Sequence, residues 1–181
     1  MKPEGELVGV GWRIVFFRAA DRIAHRVELA AERGEGPVLE SVEGSPDQPW
    51  PASPALQQVH FQPGANGRQL ALLVGMAGRS HWSSSVELSG DGSQATFEVA
   101  CRAKSPPEWL GTSYRVLGQH AVEHCAPRVS VGPIALIGEP LPPAPPPQWT
   151  IGQGLVRLTV LPPAAAWPQT IAWRYVLQAR R

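Results

Sequence analysis

Proline and glycine punctuate this chain so densely that a long helix has almost nowhere to form. Twenty prolines and eighteen glycines fall within 181 residues, and each either breaks a helical hydrogen-bond ladder or supports it poorly. Between these breaks the apolar residues alternate with polar ones in short runs, the period of a half-buried strand. An apolar content of 43% against 17% charged residues suits a globular protein, and the length suits one domain with a sizeable core. The expectation is an all-β chain: a single-domain antiparallel β-sandwich or closed β-barrel of about nine to eleven strands, with little helix.

In chain order, LVGVGWRIVFFR sets Trp12, Ile14 and Phe16 on one strand face. A turn at 19–22 then leads into a second strand with Ile23, His25, Val27 and Leu29 inward. A helix over 19–33 is the rival reading, since that stretch holds good helix formers and ends at Gly34. Gly34 to Pro37 read as a turn. In the strand reading His25 lies on the apolar face, either as a ligand or base in a pocket or as a core histidine bonded to a backbone carbonyl. The segment GSPDQPWPASP holds four prolines around Trp50 and reads as a loop capping one end of the fold. Val59 and Phe61 then point inward, and Gly64 to Gly67 turn the chain. Leu70 to Met76 is apolar on both faces, as for a strand covered on two sides.

Further on, Trp82, Ser84, Val86 and Leu88 face the core, while His81, Ser83, Ser85 and Glu87 form the opposite row. Phe97, Val99 and Cys101 return on the core side. Residues 128–137 read as a strand pair or as one strand bent at Gly132-Pro133. A proline-rich linker spans 138–148, and strands within 154–178 return to the main sheet, with Ile171, Trp173, Tyr175 and Leu177 inward.

A net charge of +1 leaves no long-range field to recruit nucleic acid or an anionic membrane. Only Lys2 and Lys104 among the sixteen basic residues are lysine, but the arginines are dispersed. The first residues do not form a secretory signal and no apolar run approaches the roughly 18 residues of a membrane span. The expected location is the cytoplasm, where Cys101 and Cys125 stay reduced.

The sharpest enzymatic pattern is HxxEH at His120, Glu123 and His124, followed by Cys125. On a helix the two histidines share a face and could hold a zinc, with the glutamate as base for a bound water. On a strand they stand about 13 Å apart and cannot. A metal-dependent hydrolase built on this cluster is the alternative to a binding protein. The serines near His81 lack a nucleophile elbow and a nearby aspartate. Neither a dinucleotide loop nor a phosphate loop occurs, so no cofactor is expected.

Binding of a small molecule or a protein partner is the leading expectation. Trp50, Trp109, Trp149 and Trp167 each sit beside or near proline; exposed together they could stack on a ligand, and packed on proline they plug the ends of a sandwich. The row His81, Ser83, Ser85, Glu87 lines a polar cavity if that face closes, or is the wet face of a sheet. The run GEPLPPAPPPQ reads as a linker, with a role as a proline-rich ligand for another protein as the rival. Oligomeric state stays open.

The segments LLVGMAGRSHWSSSVE (72–87), FEVACR (97–102), LGTSYR (110–115) and WPASPALQQ (50–58) resemble parts of a group of uncharacterised bacterial all-β proteins over about residues 10–117. The resemblance implies a stand-alone bacterial protein and carries no activity, ligand or residue role.

Overall fold

The computed structural model describes residues 2–31, 36–142, 144–162 and 166–180. Fifteen antiparallel strands form two sheets, with almost no helix beyond a 3-10 turn at Ala65–Gly67. The strands are β1 (Pro3–Val8), β2 (Trp12–Ala19), β3 (Arg22–Leu29), β4 (Gly36–Ser41), β5 (Gln58–Pro63), β6 (Gln69–Ala77), β7 (Ser80–Leu88) and β8 (Gln94–Ala103). They continue as β9 (Gly111–Val116), β10 (Val122–Cys125), β11 (Arg128–Val131), β12 (Ile134–Glu139), β13 (Gln148–Gly152), β14 (Leu155–Thr159) and β15 (Gln169–Ala179).

One sheet runs β1-β2-β3-β4-β9-β14-β13, the other β10-β11-β12-β15-β8-β7-β6-β5. The sheets do not close on each other as a barrel, so the fold is a sandwich. Fifteen strands exceed the expected nine to eleven, because β1, β10 and β13 are four to six residues long and such short runs carry too few alternations to register as strands. The C-terminal strands divide between the layers: β14 pairs β9 in the first sheet and β15 pairs β8 and β12 in the second.

Residues 19–29 are strand, not helix. β2 and β3 pair from Trp12↔Leu29 to Ala19↔Arg22, and Ala20 takes the left-handed conformation (φ 54) of a tight hairpin turn. Of the turn expected over Gly34 to Pro37, residues 34 and 35 fall outside the described residues, while Gly36 and Pro37 already belong to β4 and pair with Leu29 and Glu28. The core holds Trp12, Ile14, Phe16, Ile23 and Val27 from the first sheet, and Trp82, Val86, Phe97, Val99, Cys101, Ile171, Trp173 and Leu177 from the second.

The proline-rich loop after β4 does cap the sandwich. Pro51 and Ser53 to Leu56 are buried, and their backbone is tied to both layers. Ile23 donates its N–H to the Leu56 carbonyl (2.7 Å) and Gln57 donates to Val74 (2.8 Å). Ser53 Oγ donates to the Ser113 carbonyl and accepts from the Ser113 N–H, both at 3.2 Å. A buried loop needs such pairing for its backbone polar groups.

Candidate functional site

Two places concentrate unusual side chains: a polar cluster between the sheets and a trough on the outer face of the second sheet. The inner cluster grows from inward strand positions. His25 Nε2 hydrogen-bonds the Tyr114 hydroxyl (2.8 Å), which bonds the Tyr175 hydroxyl (2.8 Å). His25 therefore pairs with a tyrosine from β9, not with the backbone carbonyl expected. Its ring packs against Phe16, Phe97 and Tyr114, with centroids 5.3 to 5.8 Å away. Burial among these rings lowers the imidazole pKa to about 3 and raises both tyrosines, Tyr114 well above its ordinary value.

Glu43, just past β4, accepts a hydrogen bond from Ser41 Oγ (2.7 Å). Burial pushes its carboxyl up to about 7, against the opposing pull of the Ser41 bond and the Arg22 charge. Arg22 is itself buried and donates to the Met76 carbonyl (2.6 Å). His25, Glu43, Thr112, Ser84 and Tyr175 border a cavity of about 20 Å³. That is room for about one water molecule, so the cluster has space to bridge the sheets but none for a substrate.

The outer trough is a product of strand register. Across β6, β7, β8 and β15 the outward residues fall into rows: Met76, His81, Arg102, Thr170; then Val74, Ser83, Ala100, Ala172; then Leu72, Ser85, Glu98, Arg174. The middle row is short, with serine and two alanines between longer neighbours, so it forms a floor with a wall on either side. The walls stand four residues apart along each strand, about 13 Å, and the floor spans β6 to β15, about 14 Å. One side offers about 500 Å³ and the other about 430 Å³, both open to solvent along the sheet face. Leu141, from the segment after β12, lines the trough beside Ala172.

This face corrects the expectation that β6 is covered on both sides. Leu72, Val74 and Met76 are 39%, 51% and 43% exposed, an apolar stripe along one strand. The walls differ in charge. Glu98 is ion-paired with Arg174, while Arg102 is exposed and makes no ion pair among the described residues.

The structure brings His81 and Ser83 together in the trough, with His81 exposed and directly across from Arg102. Ser85 lies on the far wall. Glu87 sits one row further out and pairs with Arg68 (2.7 Å). The four tryptophans do not converge on it. Trp149 is buried within β13 against Tyr175, so its loop placement is corrected. Trp50 and Trp167 are half-buried and pack on the core from opposite parts of the chain, and Trp109 is half-buried at the entry to β9.

Glu123, His124 and Cys125 lie on β10, where neighbouring side chains alternate between faces, and His120 precedes the strand beside Gly132. The helical arrangement that would let His120 and His124 share an ion is absent. No three His, Cys, Asp or Glu side chains gather for a metal among the described residues. Cys101 is buried beneath the sheet, which pushes its thiol up to about 12 and keeps it inert.

Sequence reading missed Arg102 and Glu43. Arg102 was reachable, since pairing β7 with β8 places it beside His81. Glu43 was not, because its burial comes from a loop and the opposite sheet. The chain matches no protein-family model and no curated protein. No helix among the described residues is long and apolar enough to cross a membrane.

Proposed function

We propose that this protein is a binding module whose site is the trough on the outer face of β6, β7, β8 and β15. The observation that carries this is the short row Ser83, Ala100, Ala172 between two taller rows, next to three exposed apolar side chains on β6. A sheet face that only meets water gains nothing from an apolar stripe, and contiguous exposed apolar surface marks sites of interaction. Binding here needs no reacting group. His81 and Ser83 share the face without a hydrogen bond between them, so the arrangement positions a ligand and does not activate a nucleophile.

The test is to fill the floor. The neutral fluorophore Nile red should bind the wild-type protein, and Ala100→Leu with Ala172→Leu should reduce that binding at least tenfold while leaving the thermal midpoint within a few degrees. Unchanged dye binding in a folded double variant would remove the trough as the site.

A further inference from the structure

Resting on that trough, the unequal charge of its two walls narrows what it takes. We infer that the trough binds a linear organic carboxylate, with its carboxylate at Arg102 and its apolar chain running from Ala100 past Ser83 toward Val74. The wall carrying Leu72 has its charges already matched, since Arg174 holds Glu98 and also approaches Glu139 at 3.9 Å. The wall carrying Met76 does not. Arg102 stands between His81 and Thr170 in one cross-strand row, and no carboxylate reaches it among the described residues.

A guanidinium offers a planar fork of donors that matches a carboxylate, and His81 and Thr170 flank it with further polar groups. The floor beside it has only one hydroxyl, Ser83, and then methyl groups. A ligand polar along its whole length would lose hydrogen bonds over Ala100, Ala172 and Val74. A purely apolar ligand would cover Arg102 without satisfying it. An acid with one charged end and a straight apolar body meets both conditions. From Arg102 on β8 the floor runs two strand spacings, about 10 Å, to Val74 on β6 and then opens at the exposed side chains of that strand, while Leu141 bounds the β15 side.

The experiment is displacement of Nile red by dodecanoate, dodecanol and acetate, followed by isothermal titration of dodecanoate itself. Dodecanoate should compete at least tenfold better than dodecanol, and acetate should not compete. Arg102→Gln should weaken dodecanoate about tenfold and leave dodecanol unchanged, with Arg102→Lys restoring part of the loss. Arg102 is exposed, so these variants should fold as the wild type does.

Dodecanol equal to dodecanoate, or dodecanoate indifferent to Arg102→Gln, would overturn the carboxylate while leaving the trough in place. Nile red binding that survives the filled floor would overturn the trough reading itself. A wild-type protein that refuses all probes and is a dimer in light scattering, becoming a dye-binding monomer on Val74→Lys, would assign the face to a second copy and overturn the carboxylate.

Discussion

At the scale of single residues, the molecule depends on positions where only one side-chain size is tolerated. Gly75 faces inward from β6, directly across from Trp82, and a Cβ there would lie 2.1 Å from the Ala55 carbonyl oxygen and 2.8 Å from the Gln57 nitrogen. Both neighbours are backbone atoms of the capping loop, which is held by hydrogen bonds to β3 and β6. The loop can yield only by giving up those bonds. Gly75→Ala should therefore destabilise the protein by about 2 kcal/mol or more, the usual scale of overpacking a fitted contact. Urea denaturation measures it, and a loss below about 0.5 kcal/mol would mean the loop is not seated as described. Ala100 and Ala172 are the opposite case: they face outward, and enlarging them fills the trough without meeting backbone. The same chemical step, adding carbon to a small residue, is thus a stability probe on one face of the sheet and a binding probe on the other.

At the scale of elements, a polar bridge joins the sheets through their interior, beside the Arg22 bond to the Met76 carbonyl. Tyr114 comes from β9 in the first sheet and Tyr175 from β15 in the second, and their hydroxyls meet at 2.8 Å. Tyr114→Phe removes a partner from both His25 and Tyr175 and leaves buried polar atoms unpaired, a loss of about 2 kcal/mol. In the Tyr114→Phe, Tyr175→Phe double variant the unpaired hydroxyls are gone, so its loss should fall short of the sum of the single losses. Strict additivity in denaturant titrations would show that the bridge is not a coupled unit. Much of this level was legible in the sequence. Period-2 alternation placed Trp82, Ser84, Val86 and Leu88 inward, set His81 and Ser83 opposite, and put His25 and Tyr175 on inner faces. What alternation cannot encode is the partner. Leu70 to Met76 reads the same whether its second face is covered or bare, so the exposed stripe was misread. For His25 the sequence offers only a generic backbone partner, because it does not reveal that β9 lies within reach of β3.

At the scale of the whole molecule, two groups placed between the sheets with opposite responses to protons should shape its stability against pH. The His25 pKa is lowered from 6.5 to about 3 by burial. In the interval between these values the unfolded chain takes up a proton that the folded one refuses, so His25 makes stability fall as the pH drops below about 6.5. The Glu43 carboxyl is raised from 4.5 to about 7, again chiefly by burial. Here the folded state keeps a proton that the unfolded state releases, so stability falls as the pH rises from about 4.5 to about 7. Each group changes stability by about 1.4 kcal/mol per pH unit inside its interval. Between about pH 5 and 6 both intervals overlap and the slopes cancel, leaving a plateau. Below it only His25 acts, and Asp91, held down to about 2 by its bonds to Ser89 and Ser93, adds its own loss at still lower pH. Above it the Glu43 decline ends near pH 7, where its carboxyl ionises in the folded state too. His25→Gln should tilt the plateau so that stability rises toward acid down to about pH 4.5, where the Glu43 interval ends. Glu43→Gln should tilt it the other way, with stability climbing up to about pH 6.5. Urea midpoints measured at half-unit steps from pH 4 to pH 8 give the slopes directly. If the two variants kept the wild-type plateau, burial of these groups would not govern the proton response of the fold.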